Sequence, residues 1–281
     1  MRLNSAYANS KAHSRKRRLL GLLFVSAFSL PQNATAQTST PIPVTQLATP
    51  QYLTTSSVGM FWHDQLVALG GRLQVPGKER MIMTGTYTDA SGTQPIRLVW
   101  QLGDDVRIDL TGSSPITLIS AGAGILQKGG TLAISNDDLL ESLGDDRPET
   151  ALYGGGGGKA GWRFLGAQFR TDDGTTPNYT GPFYDVYQLA YTVFLRSDQP
   201  LRWKLFIFDS TSKLLAKVLY TIQRGGQGVA VETDWSGWSN SGGNAIPGQI
   251  VRLENGTPVA TINIANGQVT ASANDGIFTQ P

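Results

Sequence analysis

"ERMIMTGTYTDASGTQPIRLVWQLGDDVRIDL", residues 79–110, reads as three strands joined by turns rich in Asp and Gly. Ile96, Leu98, Trp100 and Leu102 alternate with Arg97, Val99 and Gln101. Val106, Ile108 and Leu110 alternate with Arg107 and Asp109. Successive side chains of a strand point to opposite faces, so this period of two predicts an antiparallel sheet with one apolar and one polar face.

The chain on either side continues the theme. Before it, "TTSSVGMFWHDQLVALGG" has a helical pattern: Ser56 or Ser57 can cap it, Val58, Trp62, Leu66 and Leu69 make one stripe, and Gly70-Gly71 stops it. After it, "ITLISAGAGILQKGGTLAI" adds short strands, and "SNDDLLESL" (135–143) is a short helix with Ser135 placed to cap it. Then come "WRFLGAQFRT", "FYDVYQLAYTVFL", "LRWKLFIFDS", "LLAKVLYTIQ", "GVAVETDW", "QIVRLENG" and "PVATINIA", with Asn255-Gly256 as a hairpin turn between the last two. One helix followed by about ten strands in a meander predicts an α+β fold: an open, strongly curved antiparallel sheet, a half-barrel, with helices over its concave face.

Residues 1–36 read as an export signal. Lys11 and Arg15 to Arg18 form a basic head, "LLGLLFVSAFSL" (19–30) a short apolar core, and Ala34-Thr35-Ala36 a small-x-small cleavage site, so cleavage is expected after Ala36. Residues 37–54 read as an extended Thr/Pro-rich linker, and 55–281 as a single domain with an insert around 135–181. Of the 23 basic residues, Arg2, Lys11, Arg15, Lys16, Arg17 and Arg18 precede position 37, and none of the 21 acidic residues does. The exported chain is therefore mildly acidic, with no electrostatic footprint for nucleic acid. No later stretch is long and apolar enough for a membrane-spanning helix, so a periplasmic or secreted protein that is not integral to a membrane is expected. Cys is absent and His63 is the one histidine after the signal, which argues against zinc and iron–sulfur sites; no metal and no cofactor are expected.

The run "YGGGGGKA" (153–160) invites a nucleotide reading. A phosphate-cradling loop needs Gly at its first position and Ser or Thr after the lysine, where Tyr153 and Ala160 stand, so Gly154 to Gly158 read as a plain loop. His63 lies beside the helical stripe with no nucleophile motif to serve and reads as a surface residue. Asp104-Asp105, Asp137-Asp138, Asp145-Asp146 and Asp172-Asp173 fall at turns or helix starts and read as local backbone partners. "VETDWSGW" (231–238) offers an alternative. In a strand, Glu232 and Asp234 share a face about 6.6 Å apart, near the lower end of the separation used by inverting glycosidases, and Trp235 and Trp238 could stack on a sugar. A carbohydrate-binding or glycoside-active protein is thus one reading, and a protein–protein regulatory module another.

The C-terminal half resembles the LolA/LolB/RseB group of periplasmic proteins. "KLFIFDSTSKLLAKVLYTIQ", "AIPGQIVRLENGTPVATINIANGQV" and "NDGIFTQP" match its sequence of a strand, a turn introducing Leu-Leu, a Pro-initiated strand, an Asn-Gly hairpin and a final D-x-x-F-x-x-P. The resemblance implies a helix-lidded, unclosed barrel with an apolar concave face, a binding protein rather than an enzyme, and lipid, an acylated protein or another envelope protein as partner. On that layout Trp62, Leu98, Trp100, Ile108, Tyr187, Leu205 and Ile207 are expected to line an apolar groove.

Overall fold

The computed structural model describes residues 51–52, 63–70, 78–101, 105–121, 124–149, 161–169, 183–191, 202–273 and 275–279. The export signal, most of the linker, Trp62, Asp104, the glycine run and the Asp172-Asp173 pair lie outside them.

The elements in chain order are β1 (Gln51–Tyr52), α1 (63–68), β2 (Glu79–Asp89), β3 (Gly92–Gln101), β4 (Asp105–Leu110), β5 (Ile116–Ala121), β6 (Gly124–Gly129) and α2 (Asn136–Leu140). A π-helical turn, Glu141–Asp145, continues α2. Then follow β7 (Gly161–Phe169), β8 (Phe183–Tyr191), β9 (Arg202–Asp209), β10 (Leu215–Arg224), β11 (Gln227–Ser236), β12 (Ser239–Ser241), β13 (Asn244–Ile246), β14 (Gln249–Glu254) and β15 (Thr257–Ala271). The sequence suggests about ten strands; the structure adds the two-residue β1 and the small β12–β13 hairpin, both too short for periodicity to reveal.

Thirteen strands form one antiparallel sheet in the order β1-β7-β8-β9-β10-β11-β14-β15-β2-β3-β4-β5-β6. Each half of the chain is a meander, and the last strand, β15, pairs with β2 to join the halves. Among the described residues β6 pairs only with β5 and β1 only with β7, so the sheet is open. It is also strongly curved. Trp100 on β3 and Trp235 on β11 are four strand steps apart, about 19 Å across a flat sheet, yet their ring centroids are 5.8 Å apart.

The alternation predicted at 96–110 holds over its described residues, 96–101 and 105–110, and Leu102 lies outside them. Leu98, Ile108 and Leu118 stand opposite one another on β3, β4 and β5, and all three are fully buried on the concave side. Their burial is the main driving force of the fold, on the order of 2 kcal/mol for each large apolar side chain. The outer face is less wet than the pattern suggests. Val99 and Ile119 flank Arg107 there and are also fully buried. Arg107 donates to the carbonyl of Ile277 at 2.8 Å, which lays the C-terminal stretch against that face.

Topology explains what fills the concavity. β6 is one edge of the sheet and β7 lies beside the other, and the described chain that follows β6 lies over the sheet's inner face, where residues of 135–149, the crossover, meet β9, β11 and β14. Within it, α2 and the π turn pack on β5 and β4. Ser135 caps α2 as expected, accepting from the Asp138 amide at 3.2 Å. Gly144 lets the π turn settle on β4, since a Cβ there would lie 3.0 Å from Cγ2 of Val106.

Candidate functional site

Strand register decides which predicted residues share the inner face. Leu98, Trp100, Ile108 and Tyr187 belong to the main core cluster, with exposures of 0%, 0%, 0% and 7%. Leu205 and Ile207 do not join them. They pack on the outer face with Val186, Tyr184 and Leu219. The inward positions of β9 are Lys204, Phe206 and Phe208, with Phe206 opposite Tyr187 and Val218. "LRWKLFIFDS" carries apolar residues in both phases, Trp203, Leu205 and Ile207 in one and Phe206 and Phe208 beside Lys204 in the other, so periodicity alone does not choose the core face. A shift of one residue exchanges the faces of a strand, so the reading of Leu205 and Ile207 as groove residues is corrected.

The charge in the inward phase explains how the crossover is held. Lys204 is completely buried, and its Nζ donates to Oδ1 of Asp146 at 2.6 Å and pairs with Oε1 of Glu141 at 3.1 Å. The ammonium sits 4.2 Å from the ring centroid of Tyr220. Thr233 on β11 donates to the other Asp146 oxygen at 2.8 Å. On β14, Arg252 donates to Ser142 Oγ at 2.8 Å, to Tyr220 Oη at 3.0 Å and to the Asp138 carbonyl at 3.2 Å. From the crossover side, Arg147 donates to the Gln101 carbonyl at 3.1 Å, and its guanidinium carbon lies 5.9 Å from the Trp100 ring centroid.

Burial alone would lower the pKa of Lys204, but Asp146, Glu141 and Asp145 raise it above the ordinary lysine value. Burial raises Asp146, Lys204 opposes that, and the like charge of Glu141 adds to it. The common cause is several carboxyl groups crowded in a dry site around one ammonium. Asp145 and Asp146, read from the sequence as turn residues, are thus 3% and 0% exposed parts of a buried network. The signal that could have located it is a polar residue in phase with an apolar face: Lys204 with Phe206 and Phe208, Thr233 with Trp235, Arg252 with Ile250.

The alternative sugar residues do not converge. Glu232 and Asp234 share the outer face of β11, as alternation predicts, and Lys217 of β10 pairs with both, reaching Asp234 at 3.5 Å. Trp235 points the other way, is 3% exposed and stacks on Trp238 with centroids 6.2 Å apart. The Trp238 indole donates to the Leu215 carbonyl at 3.0 Å. His63 is exposed and 3.5 Å from the neighbouring Asp64 carboxylate.

No family model matches the chain, and no curated protein matches it. Solved structures with a similar course include a proposed outer membrane lipoprotein-sorting protein domain from Vibrio parahaemolyticus (11% identity, 79% of this chain and 97% of that one, TM-score 0.48). A LolA superfamily protein from Nitrosomonas europaea is similar at 11% identity over 78% and 97%, with TM-score 0.49. A DUF1329 family protein from Desulfovibrio piger is similar at 8% identity over 79% and 97%, with TM-score 0.44. The curved open sheet with a helical segment on its concave face is the architecture that the resemblance to the LolA group implies; at 8–11% identity no ligand or partner carries over.

A cleft of about 730 Å³ opens beside the start of α2. Its lining includes the apolar Ile134 and Val259 and the polar Ser135, Asp138, Arg224 and Glu254. No helix among the described residues is long and apolar enough to cross a membrane.

Proposed function

We propose that the chain is an exported binding protein whose apolar inner face receives an acyl chain, free or carried by a lipid or lipoprotein, and that the crossover 135–149 covers this face until the ligand displaces it. The observation that carries the reading is the kind of contact that holds the crossover down. Leu139, Leu140 and Leu143 give it an apolar underside, but its anchors to β9, β11 and β14 are ion pairs and hydrogen bonds. Burying an ion pair sacrifices hydration that its attraction only roughly restores, so releasing both partners to water together is far less unfavourable than exposing one alone. An apolar ligand then replaces the leucines on the inner face. The cleft at the start of α2 has the size of a small-molecule site and is the way in.

The test is uptake of a fluorescent acyl-chain probe by the exported chain. Wild type takes it up, and Leu98→Glu abolishes uptake, because an unpaired carboxylate in an apolar surface is strongly disfavoured. Changing Glu232→Gln together with Asp234→Asn on the outer face leaves uptake intact. Circular dichroism on each variant separates loss of binding from loss of fold. A wild type that ignores acyl probes, or uptake that survives Leu98→Glu in a folded protein, rejects the reading.

A further inference from the structure

Trp100 and Trp235 meet at the centre of the concave face, from opposite halves of the sheet. Both are almost wholly buried, at 0% and 3% exposure. No acceptor among the described residues lies within hydrogen-bond reach of either indole N–H. Buried tryptophans ordinarily find a partner for this donor, and the neighbouring Trp238 does, at the Leu215 carbonyl. Two adjacent buried donors left in this state are a standing penalty on the covered form. Arg147 of the crossover lies over Trp100, offering its guanidinium to the ring face, and a cation supplies no acceptor.

We propose that the Trp100–Trp235 pair recognises the carbonyl oxygen of an acyl ester or amide once the crossover lifts. This deepens the acyl-binding reading of the inner face and rests on it. A carbonyl oxygen has two lone pairs and accepts from one or both indoles. A hydrocarbon of the same length packs on the rings and leaves the donors as they were. A free carboxylate also accepts, but it has to shed its hydration beside Leu98 and Ile108, so the neutral carbonyl is preferred. The pair therefore selects esters and amides over alkanes and free fatty acids, and over ethers, whose oxygen is a weaker acceptor than a carbonyl, and it sets how deep the linkage sits, because the donors are fixed on β3 and β11.

The test uses two phosphatidylcholines of equal chain length, one with ester-linked and one with ether-linked chains, mixed in equal amounts in vesicles. The full exported chain is equilibrated with the vesicles and separated, and its bound lipid is measured by mass spectrometry. The ester lipid is expected to exceed the ether lipid by about tenfold, the worth of one net hydrogen bond, and the ratio is expected to fall towards one in the double variant Trp100→Phe, Trp235→Phe. Should that variant fail to fold, the wild type with ¹⁵N-labelled tryptophan gives the same answer: two indole N–H resonances lie further downfield with the ester lipid bound than with the ether lipid bound. Equal binding of both lipids by the wild type, a preference that survives in the Phe variant, or indole resonances at the same position with both lipids overturns the proposal and leaves acyl binding standing. Binding of neither lipid removes the acyl reading and this proposal with it.

Discussion

Asp234 occupies an outward position of β11, two residues after Glu232 and opposite Lys217. Burial pushes its carboxyl up to about 6, the Lys217 ammonium opposes this, and Glu232 reinforces it. A carboxyl whose folded-state value lies above its unfolded one binds more protons when folded. Its ionisation therefore lowers stability as pH rises from about 4 to about 6. Asparagine cannot ionise. Asp234→Asn is thus expected to match wild type at pH 4 and exceed it at pH 7.5 by about 1 kcal/mol, a figure reduced for the partial exposure of the side chain. Urea unfolding at the two pH values reads the difference, and an advantage confined to acid pH contradicts the assignment.

At the scale of elements, α2 is five residues long, below the length at which a helix is stable alone, so its ends and its packing hold it. Ser135 supplies the N-terminal partner. Ser135→Ala should therefore lower stability by about 1 kcal/mol, and Ser135→Thr should retain most of it. Hydrogen exchange at the Asp138 amide shows whether the loss is local to the crossover. The two Asn-Gly pairs make a contrasting case. Asn255 and Gly256 have φ of 49° and 79° and form the tight hairpin that their sequence announces. Asn266-Gly267 carries the same letters but lies inside β15, just beyond the irregularity between Ile264 and Asn266, where pairing with Thr84 and Met83 of β2 holds the chain extended. Local preference prevailed where nothing opposed it, and long-range pairing overrode it where a partner strand was available.

Across the whole molecule, Lys204 couples β9 to a crossover some sixty residues earlier, at Asp146. Lys204→Met should lower stability by about 3–5 kcal/mol, because Asp146 and Glu141 are left as buried charges without their ammonium. Adding Asp146→Asn should recover part of that loss. The double change is then milder than the sum of the single ones, and denaturant unfolding of the four proteins closes the cycle. Strict additivity would mean that the two groups do not sense each other. If the crossover is the displaceable cover proposed above, Lys204→Met should also speed uptake of the acyl probe.

The sequence by itself determined the class of fold, because period-two alternation in stretches such as 96–110 admits only a sheet with an apolar face, and the turn chemistry at Asn255-Gly256 admits only a hairpin. It also placed Leu98, Trp100 and Ile108 on one face. Only the tertiary structure decided the phase of β9, since both of its faces are apolar and the choice depends on which neighbours it meets. Likewise, nothing local shows that Asp146 is buried. An aspartate at a turn is polar in every isolated context, and its ammonium partner reaches it only because the tertiary fold lays residues 135–149 over the inward face of β9.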